Sequence, residues 1–143
     1  MIFFGGSGAT TRIDPQVLPV VVGMRIKSKR VFLNAVEAME AGGELTITTR
    51  VLTSTWMGSG SNSDEGRVRV SIRDTGGGMS PEDLPHIFDP FFTTKKTGTG
   101  LGLSVAHNII QEHGASVEVE SRLGVGSTVH VTFPLIVPAE ALV

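Results

Sequence analysis

The chain contains no cysteine, and none of its apolar runs approaches the length of a membrane span. The missing cysteines exclude disulfides and metal sites built on thiolates. The short apolar runs exclude a membrane-spanning helix in this sequence, and the first residues lack the basic flank and apolar length of a signal peptide. These absences predict a cytoplasmic domain, although a full-length parent protein could still sit in a membrane.

A strong excess of charge of either sign is also missing. The 12 Lys and Arg residues against 14 Asp and Glu residues give a formal net charge of −2, so the chain has no basic surface of the kind that nucleic acid requires. Apolar residues make up 40% and charged residues 18% of the 143 residues, which is typical of one globular domain with its own core. We therefore expect no nucleic-acid partner.

Hydrophobic periodicity predicts an α+β fold. Apolar and polar residues alternate in the predicted strands, at 44–52, 67–74, 116–121 and 127–135, and helices are predicted at 25–41, 80–88 and 101–113. A parallel sheet covered on both faces would have fully apolar strands. The alternation instead favours a two-layer sandwich, in which a mixed, mostly antiparallel sheet carries its helices on one face. Residues 1–24 are predicted to be an irregular segment before a domain at 25–143.

Asp74 stands where an alternating strand runs into three glycines. A partly buried carboxylate there could accept a hydrogen bond from the amino group of adenine, worth about 1.5–3 kcal/mol, and glycines let the backbone approach a ring closely. Guanine would present a carbonyl oxygen instead, so such a site would select adenine. The alternative is an Asp-Gly turn that joins two strands. The third glycine and the helix start that follows both argue against this alternative.

Gly98, Gly100 and Gly102 surround the start of the predicted helix near Leu101. Backbone amides at a helix start attract phosphate oxygens, whereas a flexible hinge into the helix is the alternative. The chain has neither the lysine-ended phosphate loop nor the dinucleotide fingerprint. Lys95, together with the next lysine, could meet the β- and γ-phosphates or be a solvated loop charge.

Asn34 interrupts an apolar helical run. An asparagine is costly to bury without partners, and its amide oxygen could be a ligand of Mg²⁺, which prefers oxygen ligands. The alternative is a semi-exposed Asn beside the buried stripe of the helix. Glu37, one turn further on, could hold a metal-bound water or face solvent.

The densest aromatic cluster lies between the two glycine-rich segments. Phe88 is predicted to be part of the core, whereas Phe91 and Phe92 could latch a lid over a bound nucleotide. The four histidines are scattered without metal-ligand spacing and are predicted to be structural or exposed.

Four segments, taken in order, resemble the N, G1, F and G2 boxes of the catalytic ATP-binding domain of sensor histidine kinases, in the superfamily shared with gyrase, the ninety-kilodalton heat-shock chaperone and MutL. They are Asn34–Met39, Asp74–Met79, Phe88–Lys95 and Gly98–Ser104. The run Pro-Phe-Phe-Thr-Thr-Lys is similar to the nitrogen-regulation type in particular. The resemblance covers about residues 25–136 and implies the Bergerat ATP-binding fold, with the nucleotide between helices and sheet.

The resemblance implies a role for each matched residue. Asn34 would be the Mg²⁺ ligand, Asp74 would read the adenine, and residues 93–98 would form a mobile lid. The remaining predicted ATP-binding residues are Gly76, Gly78 and Met79 at the adenine, Lys95, Thr99, Gly100, Leu101, Gly102 and Leu103 at the phosphates and sugar, and Thr128 as a water-mediated contact to the adenine.

The implied function is to bind Mg-ATP and donate its γ-phosphoryl group to a histidine on a helical hairpin of the same or another chain, with a response regulator downstream. The sequence contains no such hairpin, so no catalytic residue is assigned. Hydrolytic relatives carry a general-base Glu one turn before the Asn, where this chain has Arg30, which argues against a gyrase-type ATPase. The alternatives are a nucleotide-binding or interaction module without transfer activity, favoured by residues 1–30, and a serine-directed kinase of the same superfamily, such as an anti-sigma factor.

Overall fold

The structure, a computed structural model, describes the residues numbered 2–3, 9–13, 34–35, 37–39, 42–52 and 66–134. Their strands are β1 (Ile2–Phe3), β2 (Ala9–Ile13), β3 (Gly43–Leu52), β4 (Arg67–Asp74), β5 (Ser116–Arg122) and β6 (Gly126–Pro134). The α-helix α1 covers Gly102–Glu112, and a 3-10 helix covers Leu84–His86. Helical backbone is also present at Asn34, Ala35 and Glu37.

The six strands form one sheet in the order β1-β2-β3-β4-β6-β5. Strand β2 runs parallel to β3, and the other neighbouring pairs are antiparallel. The predicted mixed, mostly antiparallel sheet is therefore confirmed. Because β4 lies between β3 and β6, Asp74 at its end lies in the middle of the sheet. No helix in the described ranges is long and apolar enough to cross a membrane.

One face of this sheet is buried by helical structure. Strand β4 buries every second residue, namely Val68, Val70, Ile72 and Asp74. Ala106 of α1 and the buried Ala35 and Met39 share one core with Val70 and Ile72 of β4 and with Leu45 and Ile47 of β3. The intervening β4 residues, Arg69, Ser71 and Arg73, lie on the opposite, polar face. The helices on one face, and the α+β class, are as predicted.

The short helix predicted at 80–88 is present as a turn followed by the 3-10 helix Leu84–His86. The predicted Ser cap is present, since the Asp83 N–H donates to Ser80 Oγ at 3.1 Å. Pro85 has no N–H to donate to the carbonyl four residues earlier, so an α-helix cannot continue through it.

The N-terminal region contributes strands where we predicted an irregular segment. Strand β2 pairs with β3, with Thr11 opposite Leu45. Its sequence, Ala-Thr-Thr-Arg-Ile, has no clean apolar alternation, which is why periodicity did not reveal it. Most of the segment 1–24, the first part of the predicted helix at 25–41 and residues 53–65 between β3 and β4 lie outside the described residues.

Candidate nucleotide-binding site

Asp74 is a buried carboxylate with one oxygen already bonded. Its side chain is 5% exposed, and its Oδ1 accepts hydrogen bonds from the Gly76 N–H at 2.9 Å and the Ser127 N–H at 3.3 Å. Burial raises the pKa of Asp74, while these two bonds oppose the rise. No hydrogen bond joins Oδ2 to any residue that the structure describes. One oxygen therefore holds the carboxylate in place and the other remains an acceptor for a ligand.

The residues after Asp74, here called the Asp74 loop (Asp74–Met79), are docked on the β5–β6 hairpin. The Gly124 N–H donates to the Gly77 carbonyl at 2.7 Å, and the Met79 N–H donates to Ser121 Oγ at 2.8 Å. Gly78 has a φ of +66°, and a Cβ on it would lie 2.0 Å from the Arg122 carbonyl oxygen. Only glycine fits this position without a backbone shift.

The helical turn that carries Asn34 lies against the same loop. The Ala38 N–H donates to the Asn34 carbonyl at 3.0 Å, and the Ala38 carbonyl accepts a hydrogen bond from the Gly77 N–H at 3.2 Å. Ala35 and Met39 anchor this turn in the core at 6% and 2% exposure, whereas Asn34 is half-buried. A half-buried Asn fits both a ligand contact and the semi-exposed alternative.

The predicted lid is a loop closed at its base. The Phe91 N–H donates to the Gly100 carbonyl at 2.9 Å. Gly100 has a φ of +69°, and a Cβ there would lie 2.3 Å from the Phe91 carbonyl carbon, so a side chain would disrupt this closure. Residues 93–99 are all exposed, and Lys95 Nζ forms an ion pair with the Glu37 carboxylate.

Helix α1 begins directly after the lid with unoccupied backbone donors. Leu101 is its N-cap residue, and no side chain caps the helix. The first N–H groups of a helix have no intrahelical acceptor, and they attract anions. Thr99 and Leu101 are exposed, and Gly102 and Leu103 are half-buried, so this helix start is accessible to a phosphate group.

The helical turn at Asn34 connects these parts. Ala38 contacts the Asp74 loop, its neighbour Glu37 holds Lys95 of the lid, and Ala35 shares a core cluster with Ala106 of α1. Residues of three motifs, those of Asn34, Asp74 and Lys95, therefore meet at one helical turn, and helix α1, which follows the fourth motif, packs into the same core.

Thr128 lies on the wrong face of the sheet for the role predicted for it. In the β4–β6 pairing Thr128 is opposite Arg73, and Ser127 is opposite Asp74. Neighbouring strand residues point to opposite faces, so Thr128 shares the polar face with Arg73. Ser127 lies on the Asp74 face, is buried and bonds Asp74 directly. Sequence reasoning missed Ser127, although alternation with the apolar Val129 and Val131 was a signal for it.

The aromatic cluster links the segment before the lid to α1. Phe88 is half-buried and stacks on His107 of α1, with ring centroids 4.6 Å apart. The ring centroids of Phe92 and His86 lie 5.9 Å apart. His86 Nδ1 lies 2.8 Å from Asp89 Oδ2. Phe91 is 75% exposed. Phe88 therefore stacks on α1 but is not a member of the buried core that we predicted for it, while Phe91 is exposed at the base of the lid.

A separate cavity lies at the other end of β4. It has a volume of about 240 Å³ and is lined by Arg67, Gly114, Ala115, Ser116, Thr132 and Pro134. None of the predicted site residues lines it, and Arg67 and Asp74 are the two ends of the same strand. This cavity is therefore distinct from the site around Asp74.

Comparison with known proteins identifies the class to which this fold and site belong. Residues 29–137 match the family described as histidine kinase-, DNA gyrase B-, and HSP90-like ATPase. The chain belongs to this family, as a histidine-kinase-type ATP-binding domain.

The relatives are histidine or sporulation kinases. Sporulation kinase E of Bacillus subtilis (strain 168) is 39% identical over 111 residues, which cover 75% of this chain and 14% of that protein. The sensor histidine kinase ZraS of Klebsiella oxytoca is 42% identical over 96 residues, covering 67% of this chain and 18% of that protein. The matched region spans only 14% to 23% of the length of the curated relatives. The nitrogen-regulation subtype stays a prediction.

Solved structures support the same fold. The nucleotide-free catalytic domain of histidine kinase ThkA has a TM-score of 0.55 at 34% identity, covering 73% of this chain and 61% of that one. The mycobacterial sensor histidine kinase MprB has a TM-score of 0.61 at 22% identity, covering 90% of this chain and 83% of that one. The α+β sandwich predicted from the sequence is therefore the fold of this family.

Proposed function

We propose that this domain binds Mg-ATP and donates the γ-phosphoryl group to a histidine on a separate helical segment, from which a response regulator takes it. Membership of an ATPase family supports the use of ATP. The observation that carries the finer proposal is the buried Asp74 carboxylate, whose Oδ2 has no hydrogen-bond partner among the described residues and which is connected through one helical turn to Lys95.

Asp74 selects adenine in this proposal. Its Oδ1 is held by two backbone N–H groups, so Oδ2 is oriented to accept a hydrogen bond from the adenine amino group. A charge-assisted bond of this kind contributes about 1.5–3 kcal/mol. Guanine would place a carbonyl oxygen against the carboxylate, which leaves two acceptors facing each other.

Three groups suit the charged end of the nucleotide. The uncapped start of α1 supplies backbone N–H donors for phosphate oxygens, and Lys95 supplies a positive charge. Asn34 offers a neutral amide oxygen, a ligand type that Mg²⁺ accepts alongside phosphates and waters. Bound Mg²⁺ would neutralise charge on the β- and γ-phosphates.

The transfer itself needs an acceptor from elsewhere. An imidazole nitrogen of the acceptor histidine forms a bond to the γ-phosphorus, while the bond from that phosphorus to the β–γ bridging oxygen breaks and ADP leaves with the electron pair. This chain contributes position and charge stabilisation, which are the main terms in phosphoryl transfer.

Two measurements test the proposal. Calorimetric titration with Mg-ATP and Mg-GTP is expected to show that ATP binds at least about tenfold more tightly than GTP. This ratio corresponds to the lower end of the free energy of a charge-assisted hydrogen bond. Equal affinities would remove the adenine-reading role. Incubation with labelled ATP and a separate histidine-bearing hairpin is expected to give an acid-labile phosphorylated hairpin.

The second measurement also separates the alternatives. ATP binding without label on the hairpin would indicate a nucleotide-binding or interaction module, and an acid-stable label on serine would indicate a serine-directed kinase. Either outcome contradicts histidine transfer.

A further inference from the structure

We propose that Ser121 is a positioning residue for nucleotide recognition, whose hydroxyl joins the two ends of the Asp74 loop. The inference rests on the proposed function, because it gives a role in adenine binding to a residue outside the four motifs.

A continuous set of hydrogen bonds carries this proposal. The Met79 N–H, at the end of the loop, donates to Ser121 Oγ at 2.8 Å. Ser121 Oγ lies 2.8 Å from Ser127 Oγ, and the Ser127 N–H donates to Asp74 Oδ1 at 3.3 Å. The last residue of the loop is thus connected to the carboxylate at its beginning.

The hydroxyl of Ser121 makes all the hydrogen bonds that its one donor and two acceptor positions allow. A serine hydroxyl has one proton to donate and two lone pairs that accept. Ser121 Oγ accepts from the Met79 N–H and donates to the Gly126 carbonyl at 3.2 Å. With its one proton assigned to Gly126, its contact with Ser127 Oγ is a hydrogen bond donated by Ser127. Alanine at this position would leave the half-buried Met79 N–H without this acceptor, and an unpaired buried donor is costly.

The role of these bonds is in the loop rather than in the sheet. The backbones of Ser121 and Ser127 are already opposite each other in the β5–β6 pairing, so the hairpin does not need the two hydroxyls to form. Loss of the Ser121 hydroxyl releases the Met79 end of the loop. Since both ends set the orientation of the glycines between them, the base-binding surface loses its shape.

The test compares Ser121→Ala with two controls. Ser116→Ala changes an exposed serine at the start of the same strand, and Ser121→Thr keeps the hydroxyl on a β-branched residue suited to a strand. Calorimetry with ADP in the absence of metal is expected to show about tenfold weaker binding for Ser121→Ala. Both controls are expected to bind within about twofold of the parent chain.

A merely structural role would give a different result. It would lower the melting temperature of Ser121→Ala but leave the ADP affinity unchanged at temperatures far below melting. Unchanged ADP affinity in folded Ser121→Ala therefore overturns the inference, whereas a parent chain that binds no ATP overturns the proposed function instead.

Ser127→Ala keeps the inference testable if Ser121→Ala does not fold. This change removes only the hydroxyl of Ser127 and keeps its N–H bond to Asp74, so it acts through Ser121. Ser127→Ala is expected to weaken ADP binding by about threefold, which is the effect of losing one neutral hydrogen bond. An affinity equal to that of the parent chain would overturn the proposal.

Discussion

The two walls of the site differ in how they are held. The Asp74 wall, formed by the Asp74 loop and the β5–β6 hairpin, is joined by hydrogen bonds from backbone and side chains and contains a buried carboxylate. The lid wall, residues 91–103, is closed at its base but exposed from 93 to 99. Substitutions in the Asp74 wall are therefore expected to affect fold and binding together, and those in the lid to affect binding alone.

The largest effect is expected from Asp74→Asn. The amide keeps the shape of the side chain but loses the charge that strengthens a hydrogen bond to adenine, so ATP affinity should fall by about 30- to 100-fold. Calorimetric titration measures this, with Asp83→Asn in the turn after Ser80 as the control. A loss of less than about threefold would show that Asp74 does not read the base.

Gly78→Ala and Gly124→Ala form a matched pair within the Asp74 wall. Both glycines have positive φ, +66° and +75°, but a Cβ meets the Arg122 carbonyl only at Gly78 and meets nothing within 4 Å at Gly124. Gly124→Ala should lower the free energy of unfolding by about 1 kcal/mol, the strain of a left-handed alanine. Gly78→Ala should lower it by a further 1–3 kcal/mol or so and weaken ADP binding. Equal results in urea unfolding would contradict the tight loop–hairpin contact.

Asn34→Ala tests the metal role. It is expected to reduce Mg²⁺-dependent transfer to an added histidine hairpin by at least about tenfold, the lower end for loss of groups supporting a bound metal. ADP binding without metal should change little, because the proposed adenine contact is at Asp74. A normal transfer rate would show that Asn34 is not the metal ligand.

The pH dependence of stability follows from the burial of Asp74. Its pKa is raised above the ordinary value of 3.8, so the folded chain keeps this proton to a higher pH than the unfolded chain. The free energy of unfolding contributed by this group therefore falls as pH rises from about 3.8 through the folded-state pKa. Urea unfolding across this pH range measures the free energy of unfolding of the parent chain and of Asp74→Asn. The value for the parent chain minus the value for Asp74→Asn should decline as pH rises. A flat or rising difference would contradict the burial cost.

The smallest effect on stability is expected in the lid. Lys95→Gln and Glu37→Gln both break an exposed ion pair, which contributes about 0–1 kcal/mol, so both variants should melt close to the parent chain. Only Lys95→Gln removes a positive charge that could interact with the phosphates. It should weaken ATP binding by about threefold and leave AMP binding unchanged. Equal ATP affinities in the two variants would remove Lys95 from the phosphate site.

Much of the fold could be predicted from the sequence, because strands such as β3 and β4 bury one face. The alternation at 44–52 and the helix predicted at 101–113 correspond to the observed β3 at Gly43–Leu52 and α1 at Gly102–Glu112. Strand β2 lacks this alternation, and the short helix predicted at 80–88 is only a turn and a 3-10 helix, since Pro85 cannot continue an α-helix.

Less of the candidate site could be predicted from the sequence, because its arrangement depends on contacts between residues that are far apart in the sequence. The motifs indicated Asp74, Asn34 and Lys95, but not that Ala38 and Glu37 join them. The choice between Ser127 and Thr128 depends on register, where a shift of one residue moves a side chain to the other face. The binding roles of the predicted residues stay predictions.

The bond between Asp74 and the Ser127 N–H spans 53 positions of the chain. During synthesis the carboxylate emerges long before the strand that orients it, and contacts between such distant residues form late because closing a long loop costs entropy. A chain that ends before β6 would carry the acidic group without its orienting donor. If Asp74 binds adenine as proposed, nucleotide affinity should be acquired only when β5 and β6 have paired, and ligand binding should then report the completion of folding.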